Sequence, residues 1–140
     1  MQNVKDRPAQ RREVNPVPEG YHTVTPFLVA DNAHELIEFM QKAFDAKVDY
    51  MMKSDDGTVR HATVKIGDSN VMVSNNSDQF PAMPCMLHLY VKDSDAVYKQ
   101  AVRAGAKSLR EPTDEFYGER SAGVKDKWGN QWWVATHVED

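Results

Sequence analysis

The stretch Phe116-Tyr117-Gly118-Glu119-Arg120, continued by Asp126-Lys127-Trp128-Gly129-Asn130-Gln131-Trp132-Trp133, is the part of the sequence that best indicates the fold. Gly129-Asn130 is a hairpin-type turn, because both residues tolerate positive φ at little steric cost. Residues 131–136 are rich in large β-forming side chains and predict a strand. Successive side chains of a strand point to opposite faces, so we expect one of the last two tryptophans to pack under a helix and the other to line a concavity.

The composition is that of one globular domain: 140 residues, of which 41% are hydrophobic and 27% are charged. The net charge of −4 argues against nucleic-acid binding, which requires a basic surface. The single cysteine, Cys85, cannot form an internal disulfide and suits a reducing compartment. Residues 1–20 lack the apolar core of a signal peptide, and no apolar run approaches the roughly 20 residues of a membrane span. We therefore predict a cytoplasmic protein with neither nucleic acid nor membrane as a partner.

The start of the chain differs in composition from the rest. Residues 1–20 contain Pro8, Pro16 and Pro18 and few apolar side chains. Such a segment cannot bury enough apolar surface to offset the entropy of ordering. We predict a disordered or loosely docked tail over residues 1–20 and a single domain over residues 21–140.

The domain has two similar halves. In the first, residues 21–76, the pattern predicts a strand at 24–30, a helix at 33–46 capped by Asp31-Asn32, and strands at 47–53, 59–66 and 71–74. Pro26 places the first strand at a sheet edge or marks a strand start. A polar, proline-containing linker follows at 77–84. In the second half, residues 85–137, we predict a strand at 86–91, a helix at 95–104, a strand at 107–110, a loop at 112–117, and strands at 119–125 and 131–136.

Each half reads β-α-β-β-β, and the two can be aligned at a spacing of about 60 residues. Val29-Ala30-Asp31-Asn32 matches Val91-Lys92-Asp93-Ser94, and Asn70 matches Asn130. A four-stranded unit leaves an apolar sheet face exposed unless two units curve towards each other. The predicted fold is therefore α+β, with two βαβββ modules forming a curved, partly open eight-stranded mixed sheet around a ligand cavity.

With this repeat in place, the sequence resembles the vicinal oxygen chelate superfamily, which includes glyoxalase I, extradiol dioxygenases and bleomycin-resistance proteins. Three motifs resemble its PhnB-like branch: residues 23–28, residues 61–69 with His61-Ala62 and Gly67-Asp68-Ser69, and residues 117–132 with Tyr117-Gly118-Glu119-Arg120. The resemblance covers residues 21–137. It implies a homodimer with pockets near the dimer interface.

The resemblance also implies a test for a metal site. In the metal-dependent members, His and Glu or Gln side chains on the first and last strands of both modules hold a divalent ion. Here His88 matches one such position and His22 lies at the start of the first strand, but neither last strand contains Glu, Asp or His, and Trp133 stands where a Glu is expected. We expect no metal or other cofactor; if a divalent ion binds, His22 and His88 are the predicted ligands.

The candidate pocket combines aromatic, sulfur-containing and imidazole side chains with one arginine. Arg120 is the predicted anchor for a carboxylate or phosphonate, because its planar fork binds such groups. A structural ion pair with Glu119 or Asp126 is the alternative, and no nucleophile or catalytic residue stands out. The predicted pocket residues are Phe27, His61, Met72, His88, Tyr117, Arg120, Trp128 and Trp133.

Three functions follow from this pattern. The first is a small-molecule-binding protein of the resistance or sequestration type that works without the customary metal. The alternative is a divalent-metal-dependent lyase, isomerase or dioxygenase of the same superfamily. The third is a structural or regulatory protein with a vestigial pocket. The sequence does not identify the ligand.

Overall fold

The computed structural model describes residues 14–140. Its elements follow the order β-α-β-β-β twice, as predicted. Neither helix has the length or the apolar content to cross a membrane within this part of the chain. The elements are β1 (Phe27–Ala30), α1 (Ala33–Phe44), β2 (Lys47–Lys53), β3 (Val59–Ile66), β4 (Ser69–Asn75), β5 (Met86–Tyr90), α2 (Ser94–Arg103), β6 (Lys107–Glu115), β7 (Glu119–Lys125) and β8 (Gln131–His137).

The eight strands form two four-stranded mixed sheets with the orders β1-β4-β3-β2 and β5-β8-β7-β6. In each sheet the first and last strands of a module pair in parallel, and the other neighbours are antiparallel. The predicted α+β class with two βαβββ modules is confirmed. The eight strands are divided between two separately hydrogen-bonded sheets, one for each module.

One face of each sheet is buried against the helices. On β8 this face carries Trp132 and Val134, which are almost fully buried. The ring of Trp132 lies 4.7 Å from that of Phe44 at the end of α1, so the two modules share one core. We call the opposite, helix-free side of each sheet its open face. Alternation therefore sends Trp133 to an open face, as the sequence predicts.

The internal repeat is visible in how each helix is tied to its own sheet. The backbone N–H of Ala33 donates to Asn75 Oδ1 at 2.9 Å, and that of Ser94 donates to Thr136 Oγ1 at 2.9 Å. In both modules the last strand thus satisfies the first N–H of the helix, a group that has no partner within the helix itself.

These contacts correct the predicted alignment at the start of each helix. The N-caps are Asn32 and Asp93, so these two residues correspond, whereas the sequence alignment had matched Asn32 with Ser94. Helix α2 accordingly begins at Ser94 and not at residue 95. The difference of one residue arises because both Asp93 and Ser94 are capping residue types, and the structure distinguishes them: Asp93 Oδ1 accepts the N–H of Ala96, and the N–H of Ser94 donates to Thr136.

A second correction concerns the predicted loop at 112–117. Strand β6 continues through Pro112 to Glu115, and a register shift in its pairing with β7 lies between Arg110 and Thr113. Strand β6 is an edge strand. An edge strand with an irregularity tolerates the missing N–H of proline, so Pro112 does not end the strand.

The predicted tail lies partly outside the described residues, which begin at residue 14. Residues 14–20 are exposed, but the carbonyl oxygen of Gly20 accepts a 2.7 Å hydrogen bond from Asn70 Nδ2 on β4. The other side-chain atom of this amide, Asn70 Oδ1, is buried and has no hydrogen-bond partner among the described residues. The boundary at Tyr21 and the module bounds at residues 21–76 and 85–137 stay predictions.

The turn between β7 and β8 is organised by the carboxylate of Asp126, which is only 5% exposed. Its Oδ1 accepts the backbone N–H groups of Trp128 and Asn130, both at 2.9 Å. Its Oδ2 accepts Asn130 Nδ2 at 2.9 Å and Trp132 Nε1 at 2.8 Å. Asn130 Oδ1 in turn accepts the N–H of Cys85 at 3.0 Å. Burial, with a smaller contribution from the negative charge of Asp126, raises the pKa of the Cys85 thiol.

Replacing this carboxylate should weaken the whole fold. Asp126→Ala leaves the Trp132 indole N–H and the Asn130 amide without their acceptor in a buried site, and we expect a loss of about 3 kcal/mol in the free energy of unfolding. Urea denaturation measures it, and the corresponding fall in Tm is about 10 °C. Asp55→Ala, in the exposed β2–β3 turn, is the matched control and should change stability by less than about 0.5 kcal/mol. Equal effects of the two variants would contradict the role of Asp126.

Candidate functional site

Trp133 lies flat on the open face of the second module. Its register partner on β7 is Gly123, and a Cβ atom placed on this glycine would lie 2.6–2.7 Å from three atoms of the indole ring. Any larger residue would therefore push the ring away from the sheet. The absence of a side chain on Gly123 gives Trp133 its position.

Arg110 covers the other side of the indole. Its Cζ atom lies 4.9 Å from the ring centroid of Trp133, within the range of a cation–π contact. Its Nη2 donates to Glu115 Oε1 at 2.7 Å and to Ser121 Oγ at 2.9 Å, and Ser121 Oγ donates to Glu115 at 3.2 Å. These hydrogen bonds hold the guanidinium against the indole, while the Arg110 side chain stays 44% exposed.

His88 and Tyr90 of β5 extend this surface. His88 is the register partner of Trp133, and its ring centroid lies 4.9 Å from that of Tyr90. The hydroxyl of Tyr90 donates to Glu119 Oε2 at 2.6 Å, and this hydrogen bond to a carboxylate raises the pKa of Tyr90. Both rings are exposed. We call the set Trp133, Arg110, His88 and Tyr90 the Trp133 platform.

The open face of the first module holds three further predicted residues. Phe27 and Met72 are register partners on β1 and β4, and the ring of His61 lies 5.8 Å from that of Phe27. Tyr50 lies 6.4 Å from His61 on the other side. The structure therefore brings three of the predicted pocket residues, Phe27, His61 and Met72, together on one surface.

Arg120 does not lie on an open face, contrary to its predicted role as the ligand anchor. Its Nε donates to Asp95 Oδ1 at 2.7 Å and its Nη1 to Asp114 Oδ1 at 3.1 Å. Asp95 belongs to α2, so Arg120 points to the helix side of its sheet. The hydrogen bonds raise the pKa of Arg120 and lower that of Asp95. Arg120 thus forms structural ion pairs, which was the alternative prediction, but with Asp95 and Asp114 instead of Glu119 or Asp126.

Trp128 also lies away from both open faces. Its Nε1 donates to the carbonyl oxygen of Asp31 at 2.6 Å, and Lys127 Nζ lies 5.5 Å from its ring centroid. Trp128 therefore joins the β7–β8 turn of the second module to the end of β1 in the first.

Tyr117 lies in the turn before β7, edge-on to Phe116 at 5.1 Å, and is 53% exposed. It lies two residues before Glu119, whose carboxylate accepts the hydroxyl of Tyr90. Arg110 is the residue that the sequence reasoning missed. The irregular β6–β7 pairing decides which face Arg110 occupies, and no pattern in the sequence indicates that irregularity.

The donor set does not fit the metal site that the family resemblance implies. On the first and last strands of the two modules, Phe27 pairs with Met72 and His88 with Trp133, so these register pairs supply one imidazole and no carboxylate. His137, at the end of β8, is in contact with Asp140, with 2.8 Å between its Nε2 and Asp140 Oδ1. His22 is exposed ahead of β1. Among residues 14–140, no three His, Cys, Asp or Glu side chains are grouped so that they could hold an ion.

Comparison with known proteins places these features in a family. An uncharacterised protein of Mycobacterium bovis is 30% identical over 128 residues, which cover 84% of both chains. TioX from a Micromonospora species has a similar structure, with a TM-score of 0.73 at 20% identity over 84% of this chain and 99% of that one. A PhnB protein from Bacillus cereus, described as a putative 3-demethylubiquinone-9 3-methyltransferase, has a TM-score of 0.66 at 20% identity over 82% of this chain and 99% of that one.

The family itself is identified by a sequence model that matches residues 21–134, nearly the whole of the predicted domain. This chain belongs to the glyoxalase/bleomycin resistance protein/dioxygenase superfamily.

Proposed function

We propose that the protein binds a small organic molecule on its open faces and does so without the metal site customary in the superfamily. The observation that carries this proposal is Trp133. It occupies the position of an expected metal ligand, and it is held between Gly123 below and Arg110 above. A large indole in this place takes up the space of an ion and its waters and offers apolar contact area instead.

The ligand that this surface fits is flat and largely apolar. The exposed rings of His88 and Tyr90 and the planar guanidinium of Arg110 all stack favourably on aromatic systems. Arg110 is already paired with Glu115, so a negative group on the ligand would have to compete with this carboxylate. We therefore favour a neutral aromatic compound over an anion at this site.

We further propose a homodimer in which a second copy covers the open faces. Large apolar side chains are exposed there, with Phe27 at 49%, Tyr50 at 54% and Met86 at 66% of their maximal area. Exposed apolar patches of this kind are typical of interaction surfaces. Assignment to the PhnB-like branch, supported by the likeness to the Bacillus protein, and a cytoplasmic location, favoured by the lone Cys85, belong to the same proposal.

The Trp133 platform can be tested with 1-naphthol as a neutral flat probe. We expect saturable binding by calorimetry, and at least a tenfold loss of affinity in Trp133→Val because the apolar contact area is removed. Trp128→Phe is the control, since it changes a tryptophan away from both open faces, and its affinity should equal that of the wild type. If Trp133→Val binds as tightly as the wild type, the platform is not the site.

The contact between Gly123 and Trp133 predicts a specific coupling between two substitutions. Gly123→Ala should cost about 1–3 kcal/mol of stability, because the added methyl group overlaps the indole. In a Trp133→Val background the same change should cost much less, and urea denaturation of the four proteins in this double-mutant cycle gives the coupling energy. Additive effects would mean that the indole does not rest on this glycine.

Metal independence is tested by thermal unfolding of chelator-treated protein with Mn(II), Fe(II), Ni(II) or Zn(II). An ion that binds only the native state stabilises it by about 2.7 kcal/mol at a hundredfold excess over its Kd. We expect no saturable rise in Tm with any of the four. A rise that His88→Ala abolishes and the control His137→Ala preserves would contradict the proposal and favour the metal-dependent lyase, isomerase or dioxygenase.

A further inference from the structure

The two modules meet along two seams that correspond to each other through the internal repeat. In the first, the turn between β7 and β8 lies against the end of β1 and the start of α1. The Trp128 indole lies in this seam and donates to the Asp31 carbonyl, while Lys127 pairs with Glu35. The cavity that is left has a volume of about 470 Å³.

In the second seam, the turn between β3 and β4 lies near β5 and α2. Only Gly67 and Asp68 join these two strands, whereas residues 126–130 join β7 to β8. The shorter turn carries no tryptophan, and a cavity of about 1140 Å³ is left open. We call this cavity the lysine groove.

The floor of the lysine groove is apolar. Phe44, Val71 and Trp132 are buried side chains of the shared core, Pro26 is exposed, and the remaining apolar lining residues are half-buried. They come from both modules, so the groove lies over the contact between them. The apolar lining comprises Phe44, Leu87, Leu89, Val97 and Trp132, together with Pro26, Ile66, Val71 and Val91.

One side of the groove is the outer edge of β5. Within residues 14–140 this strand pairs only with β8, and the ladder uses the carbonyl of Cys85 and the N–H of Val91. Because hydrogen-bonding direction alternates along a strand, the backbone N–H groups of His88 and Tyr90 point away from β8. Both residues line the groove, so it has backbone donors as well as an apolar floor.

Three lysines, Lys47, Lys65 and Lys92, are among the residues that line the groove. Lys47 and Lys65 are direct cross-strand neighbours, an arrangement in which like charges repel. None of the three forms an ion pair with a residue of the described part of the chain. The two lining carboxylates, Asp45 and Asp68, accept hydrogen bonds from Gln100 and Ser69. Three lysines against two aspartates give a local positive excess in a protein with a net charge of −4.

We propose that the lysine groove is a second binding site, which takes an amphipathic organic anion such as an alkyl or aryl carboxylate. The apolar body of the ligand takes the place that the Trp128 indole has in the other seam. Its carboxylate relieves the repulsion between Lys47 and Lys65. This site adjoins the Trp133 platform, because His88 and Tyr90 of β5 line both, but it includes neither Trp133 nor Arg110.

The test uses decanoate as the anionic probe and decanol as its neutral counterpart, with binding measured by calorimetry. We expect saturable binding of decanoate, at least tenfold tighter than that of decanol, and weaker binding as the salt concentration rises. In Lys47→Gln/Lys65→Gln, the affinity for decanoate should fall at least tenfold. This double variant removes a repulsion, so we expect it to fold.

The repeat supplies a matched control. Lys107 and Lys125 are the corresponding cross-strand pair of the second module, and they do not line the groove. Lys107→Gln/Lys125→Gln should bind decanoate as the wild type does, and so should Trp133→Val, which alters only the other site. Val97→Trp, which fills the groove, should abolish binding while thermal unfolding shows a folded protein.

Three results would overturn the proposal. Equal affinity for decanoate and decanol would show that the lysines do not bind the carboxylate. An equal loss in the two lysine double variants would show a general effect of charge. Loss of decanoate binding in Trp133→Val would place the probe on the open face, and that result would leave the proposed function intact while removing the lysine groove.

Discussion

The buried carboxylate of Asp126 sets the positions of all three tryptophans. It accepts the indole N–H of Trp132, which holds that ring in the shared core against Phe44. It also accepts the backbone N–H of Trp128 and so shapes the turn from which this residue reaches the first module. Because side chains alternate along a strand, fixing Trp132 inside also fixes Trp133 outside. One buried acceptor therefore connects the core, the seam between the modules and the open face.

Much of the fold could be predicted from the sequence because the repeat and the alternation of strand residues report on it directly. The opposite placement of Trp132 and Trp133 is an example, and so is the grouping of Phe27, His61 and Met72. Arg120 was misplaced for a physical reason: its partner Asp95 lies on a helix 25 residues earlier in the chain, and only the packing of α2 on the sheet brings them together. Arg110 was missed because the register shift near Pro112 determines its face.

The candidate site shows how the same fold can offer an apolar binding surface at positions that hold metal ligands in other members. The strand positions that face the cavity are the same in any member with this topology, since the backbone ladders fix them. Here two register pairs of the first and last strands are Phe27 with Met72 and His88 with Trp133. Thioether and aromatic groups offer polarisable contact area but do not hold a hard divalent ion. The substitutions alter the chemistry of the surface without requiring any change in how the strands pair.

The short turn at Gly67 and Asp68 has a consequence for how such a protein can change over evolutionary time. The ladders of β3 with β4 and of β7 with β8 close with turns of different length, yet both sheets keep the same strand order. Turn length is thus independent of the sheet, as is usual for surface connections. A few residues inserted or deleted at this hairpin would change the volume of the lysine groove. The size of this cavity can therefore evolve separately from the two sheets that surround it.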